Sequence, residues 1–250
     1  DRELNPIGSE EEVVVSTIGT LETVMTELNS ELDIIAEKFE PYLDLVTMEP
    51  DVHVEAFLAT NPTTEDIHAE LQRLYDLTHG VESALEDFER FRMYTVKCDT
   101  VKKTCAARAR LATKLLLERL RGAMDEANAD IRQRTAVIKE TTEQVSDKCE
   151  ETFELEAYSK KIEGELGSLQ DEIDASQKQM ETLLHFQFEL SDLELTDFWT
   201  TVGCPADITG MLEAAAGRIA DEKRAFLEQL EKDKAKLVED MDGYGEQIEA

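Results

Sequence analysis

Turn formers are scarce in this chain: 11 glycines and 5 prolines in 250 residues, mostly where a helical pattern would stop or start. No stretch of about 18 apolar residues occurs and no basic-then-apolar leader opens the sequence, so neither a transmembrane helix nor a signal peptide is expected. The four cysteines, Cys98, Cys105, Cys149 and Cys204, include no C-x-x-C pair, a spacing that fits reduced thiols in a cytosolic compartment better than zinc or a disulfide framework. Basic residues number 26 against 57 acidic ones; the net charge of −31 disfavours global attraction to nucleic acid or anionic lipid. Phosphate-cradling loops of the form G-x-x-x-x-G-K-[ST] or G-x-G-x-x-G do not occur, which argues against nucleotide binding by those routes.

What is abundant is helical rhythm. Hydrophobic residues make up 41% of the chain, enough for several buried helix seams in one large or two modest domains. From about Glu10 to Phe39 the line Val14, Ile18, Leu21, Met25, Leu28, Leu32, Ile35 steps by threes and fours, which predicts one helix with a buried face, ended or kinked by Pro41. Val54, Phe57 and Leu58 suggest a short helical turn in the less regular stretch from Pro50 to Pro62. Pro62-Thr63-Thr64-Glu65-Asp66 has the chemistry of a helix start, and that helix is predicted to run to about Phe88. Phe91 to Val96 is rich in β-formers but reads as an isolated extended connector, since one run cannot make a sheet.

Two long helices are predicted next: about Thr100 to Ser146, along Leu117, Leu120, Met124, Ala127, Ile131 and Ile138, and about Glu150 to His185, along Phe153, Ala157, Ile162, Leu166, Leu169, Ile173, Met180 and Leu184. Ser191-Asp192-Leu193-Glu194 has the form of a capping box opening a short helix through Trp199. Pro205 suits the first position of a last helix with core line Leu212, Ile219, Phe226, Leu230, Leu237, Met241, Tyr244 and Ile248. The expectation is an all-α fold of elongated helical bundles with long coiled-coil-like helices, divided into a helical tail segment (1–60), a long-helix bundle (61–190) and a helix break with a final long helix (191–250). The absence of an initial methionine and the helical pattern running to Ala250 suggest a piece of something longer.

Candidate chemistry is thin. Glu65-Asp66-Ile67-His68 is an E-x-x-H, but a di-iron bundle needs a second such motif and Glu181 and His185 are spaced by four instead. His53 and His79 lie near no nucleophile pattern. The basic stretch Lys97, Lys102, Lys103, Arg108, Arg110, Lys114, Arg119 and Arg121 would either dock an acidic partner or lie across acidic helices of its own bundle; without interleaved aromatics the second is expected. Phe186, Phe188, Phe198 and Trp199 surround the helix break and are expected in the core, with a partner interface as the alternative. The segment is expected to hold no metal or cofactor and to perform no catalysis itself.

The order of these pieces resembles the tail of an axonemal dynein heavy chain just before the linker of the motor. Three passages carry the resemblance: Pro62-Thr63-Thr64-Glu65-Asp66-Ile67 leading into a charged helix; Phe91 to Lys102 as the short extended segment before a long helix; and, most specific, Leu183-Leu184-His185-Phe186-Gln187-Phe188-Glu189-Leu190-Ser191-Asp192, then Trp199, then Gly203-Cys204-Pro205-Ala206-Asp207-Ile208. Cys204 stands where many of those chains carry a second tryptophan. The resemblance spans roughly residues 55 to 250. It implies a structural stem of an ATP-driven microtubule motor, located in the cytoplasm and in the axoneme of a cilium or flagellum. It also implies association with other dynein heavy chains, intermediate and light chains and, through the complex, axonemal microtubule doublets, but not with nucleic acid or membrane. ATP would bind in motor modules outside this chain. In that reading Leu184, Phe186, Phe188, Leu190, Trp199, Pro205 and Ile208 form the structural or interface cluster at the helix break. A non-motor coiled-coil scaffold or tether is the principal rival, and a small helical enzyme the second.

Overall fold

The structure, a computed structural model, describes residues 11–90, 95–144 and 148–249. It is all-α apart from one two-stranded hairpin: α1 (Glu12–Phe39), a 3-10 turn (Glu40–Tyr42), α2 (Leu43–Thr47), α3 (Pro50–Leu58), α4 (Thr64–Ala84), β1 (Phe88–Arg90), β2 (Thr95–Lys97), α5 (Asp99–Thr142), α6 (Cys149–His185) and α7 (Asp192–Glu249). No described helix is long and apolar enough to cross a membrane. The chain divides into two compact units, Asp1–Glu118 and Arg119–Ala250.

In the first unit, Leu45 of α2, Val81 of α4, the adjoining Leu85, and Cys105, Ala106 and Ala109 of α5 close a core that Phe39, Tyr42, Met48 and Leu77 help to cover. Small residues on α5 let the neighbouring elements approach, and Gly80 serves the same end on α4: a Cβ there would meet the Tyr42 hydroxyl at 2.7 Å. Helix α4 starts where the sequence predicts. Thr63 and Asp66 form a reciprocal capping box, with the Asp66 amide donating to Thr63 Oγ1 at 3.2 Å and the Thr63 amide donating to Asp66 Oδ2 at 2.9 Å.

Two expectations for this unit are overturned. Helix α4 stops at Ala84 rather than near Phe88, which frees Phe88–Arg90 to pair antiparallel with Thr95–Lys97 (Phe88 opposite Lys97, Glu89 opposite Val96, Arg90 opposite Thr95). Thr95 and Val96 therefore belong to a hairpin, not an isolated connector, because the partner strand lay hidden at the end of a predicted helix; Phe91 to Tyr94 lie outside the described residues. The face of α1 is the second correction. Ile35 is buried and Phe39 reaches the core, but Ile18, Leu21, Met25 and Leu32 are exposed.

The second unit packs the distal part of α5 with α6 and the proximal part of α7. Ile131 of α5, Ile162, Leu169 and Ile173 of α6, and Cys204, Ile208 and Leu212 of α7 share one core. Met124, Met180 and Leu183 are buried as well. The α5 line runs through Asn128, which is buried, rather than the exposed Ala127. Asn128 Oδ1 accepts from Ser176 Oγ at 2.7 Å, so the polar pair is satisfied inside the seam. The first turns of α6 bury Thr152, Leu155 and Ser159 in place of the expected Phe153 and Ala157. Phe153 instead lines an open apolar groove of about 360 Å³ with Phe226, Leu227 and Leu230, where Lys223 Nζ stands 4.7 Å from the Phe153 ring centre.

Helix α7 departs most from expectation. It neither ends at Trp199 nor restarts at Pro205; it runs unbroken with Pro205 inside it. A proline in a helix interior costs about 3 kcal/mol. Burial of Cys204, Ile208 and Leu212 around it offsets that cost by tying the residues before and after the proline into one core. Past Phe226 the core line is exposed: Leu230, Leu237 and Met241 find no cover, and the side chains of Tyr244 and Ile248 lie outside those described.

Candidate interface around the break between α6 and α7

The turn between α6 and α7 is built by two complementary helix ends. After His185, Phe186 caps α6 and Gln187 takes a left-handed conformation with φ 55°. The Gln187 amide then donates to the Leu184 carbonyl at 3.0 Å and the Phe188 amide to the Leu183 carbonyl at 2.9 Å. This is a Schellman closure, in which two otherwise orphaned carbonyls are satisfied. A glutamine in place of the usual glycine at the left-handed position carries a steric cost of roughly 1–2 kcal/mol.

Three residues later Ser191 restarts the helix. Its amide donates to Glu194 Oε2 at 2.7 Å, its hydroxyl donates to the same oxygen at 2.7 Å, and the Glu194 amide donates to Ser191 Oγ at 3.3 Å. Arg121 of α5 donates to Glu194 Oε1 at 2.5 Å. The Ser191 hydroxyl and amide, with the Arg121 guanidinium, hold the Glu194 carboxyl down at about 2, below its ordinary value of 4.5. Burial acts the other way on Asp125, raising it despite the Arg121 guanidinium 3.4 Å away. A second arginine of α5 braces the next turn of α7: Arg132 Nη1 donates to the Asp197 carbonyl and to Thr201 Oγ1, each at 3.0 Å.

The predicted cluster is split by these elements. Ile208 is fully buried in the core. Phe186, Phe188, Leu190 and Pro205 are half-buried. Leu184 and Trp199 face outward, 56% and 66% exposed, and Trp199 therefore does not clamp the break. The physical reason is register: Phe198 takes the inward position at 4% exposure, and Trp199 stands edge-on to it with ring centres 5.3 Å apart. Leu183, not Leu184, fills the corresponding place on α6. The surface of the break thus keeps two large apolar side chains, Leu184 and Trp199, available as anchors of the kind enriched at interfaces.

The basic stretch works largely within the chain. Lys102 Nζ donates to the Leu85 carbonyl at 2.8 Å and pairs with Asp87, satisfying the end of α4; Arg108 donates to the Leu45 and Val46 carbonyls at the end of α2; Arg110 pairs with Glu82. Lys97 and Lys103 pair with Asp99, and Lys114 with Glu118. Cations at helix C-termini complement the helix dipole. The same device recurs where Arg218 donates to the Thr142 carbonyl at the end of α5.

Among the described residues no three His, Cys, Asp or Glu side chains are placed to hold a metal. His53 Nε2 lies 2.8 Å from Glu70 Oε1, and Arg73 grips the same carboxylate through two nitrogens at 2.7 and 2.8 Å, a structural tie between α3 and α4. None of the four cysteines is disulfide-bonded; burial pushes the Cys98 and Cys105 thiols up, away from reactivity, and only Cys149 is exposed. Reasoning from the sequence missed Asn128, Arg132 and the hairpin. Stepping by four from Met124 would have found Asn128, but nothing local marks Arg132 as the brace of a helix 65 residues further on.

No family model matches the chain, and no curated protein matches it at a significant level.

Proposed function

We propose that this chain is a stem segment of a dynein heavy chain of cilia or flagella, a packed helical element that carries force and offers docking surface to associated subunits. The observation that carries the reading is the passage from Leu183 to Ile208: a Schellman-closed helix end, a Ser191–Glu194 capped restart and a long acidic helix, in the order on which the resemblance rests. A short extended segment before the long helix α5 and the capped start of α4 at Thr63 support the same reading. The segment's own role is mechanical: close-packed seams such as that of α5, α6 and α7 cannot stretch continuously, so they transmit strain. ATP hydrolysis then belongs to motor modules elsewhere in the heavy chain, and its partners are other heavy chains, intermediate and light chains, and through them the axonemal doublets.

The test is microtubule co-sedimentation of the full-length protein from ciliated cells. Pelleting with microtubules and release by ATP is the expected result; no ATP-sensitive association counts against the motor. A non-motor coiled-coil scaffold remains as a second reading, favoured by the uncovered apolar lines on α1 and on the distal part of α7.

A further inference from the structure

Helix α1 combines an uncovered apolar face with charge of one sign. Its C-terminal end is rooted in the first unit by buried Ile35 and core-packed Phe39. Ahead of that root Ile18, Leu21, Met25 and Leu32 are exposed, Leu21 and Met25 each 58%. At about 100° per residue, Val24 widens this face on one side and Val15 on the other, and both are exposed too. Glu22 and Asp33, about three turns apart, fall on the same rim as Val15. From Glu12 to Glu37 the helix carries Glu12, Glu22, Glu27, Glu31, Asp33 and Glu37 and no basic residue. Among the described residues Glu22 and Asp33 form no ion pair, and Lys38, the next cation along the chain, is taken by Glu89 at 2.6 Å. Carboxylates on other helices are tied down, Glu70 by Arg73 and Glu156 by Lys160 and Lys223. We propose that the leading turns of α1 are the docking face for an amphipathic helix of another protein, one that carries lysine or arginine along the rim of its apolar side.

Charge complementarity selects that occupant. A second copy of α1 would bring an apolar face but no cation to meet Glu22 and Asp33, because none lies between Glu12 and Glu37. An anionic lipid surface is repelled by the same carboxylates. A helix with basic rims covers Leu21 and Met25 with its apolar side and pairs with Glu22 and Asp33 in the same contact, so burial supplies the affinity and charge the choice of partner. The stretch from Val14 to Leu32 is about 28 Å long, room for about five turns of such a helix. Either a stem or a scaffold can receive it, so the docking stands or falls apart from the motor reading.

Fluorescence anisotropy of the 250-residue chain with a dye-labelled helical peptide tests it. The peptide is about four heptads long with leucine on the seam and lysine on both rims, and its control carries glutamate on the rims. The lysine peptide is expected to bind saturably, less tightly as salt is raised, and the glutamate peptide not to bind. Leu21→Glu/Met25→Glu should weaken binding by about tenfold or more with helicity unchanged, since both sites are exposed. Glu22→Lys/Asp33→Lys should reverse the preference toward the glutamate peptide, whereas Glu27→Lys/Glu37→Lys, the same change in net charge on the outer side of α1, should leave it in place. No saturable binding overturns the proposal, as does binding that ignores the Leu21 and Met25 changes or answers equally to the two charge variants. A mass of twice 28.3 kDa in sedimentation equilibrium, reduced to the single mass by Leu21→Glu/Met25→Glu, would give the face to a second copy and overturn it as well.

Discussion

The proximal and distal parts of α7 carry the same apolar rhythm on one helix, yet Leu212 and Ile219 are buried while Leu230, Leu237 and Met241 are exposed. Nothing local distinguishes them. The proximal part lies against α6 with Ile131 of α5 in the same core, and no such cover reaches Leu230, Leu237 and Met241. Periodicity states which face of a helix is fit to be covered, and packing decides whether a neighbour covers it. Helix α1 repeats the lesson, with its root in the core and its leading turns exposed.

Substitutions sharpen this contrast. Leu183→Ala or Ile173→Ala, in the covered seam, should each cost about 2–5 kcal/mol in urea unfolding, whereas Leu237→Ala should fall within about 0.5 kcal/mol. Equal losses at the two kinds of site would erase the distinction between covered and uncovered line. Asn128→Ala leaves the buried Ser176 hydroxyl without its partner and should cost about 1–3 kcal/mol. Recovery by the companion change Ser176→Ala would identify the unpaired hydroxyl as the cause. Thr63→Ala removes one half of the capping box of α4, and a loss of about 1 kcal/mol is expected.

Acid titration probes the restart of α7 by chemistry rather than packing. Glu194 is held at about 2 in the folded chain against an ordinary 4.5, so its contribution is fully present above pH 4.5 and is lost as pH falls toward 2. The Glu194→Gln variant should flatten the fall in stability across that window, and an unaltered slope would mean that Ser191 and Arg121 do not hold the carboxylate. The smallest effect is expected at Trp199→Ala, within about 0.5 kcal/mol, with a water-exposed emission spectrum from this sole tryptophan. A blue-shifted, unquenchable spectrum would place the ring in the core after all.

The helical class, the long helices α5 and α6, the threonine-capped start of α4 and the capping box at Ser191 were legible in the sequence, because caps and periodicity are written within a few residues. Pro205 misled because interior proline is penalised locally, whereas the burial of Cys204, Ile208 and Leu212 that overrides it comes from other helices. Phe198 and Trp199 are adjacent aromatics, and only the register set by Arg132 and the core tells which turns inward. At the candidate interface the sequence located the break but not its exposed anchors, for the same reason.

The most direct test of the motor reading is to read the native transcript past the codon for Ala250. A run of six P-loop-type modules is the result this account predicts; a reading frame that ends without them contradicts it and leaves the scaffold in its place.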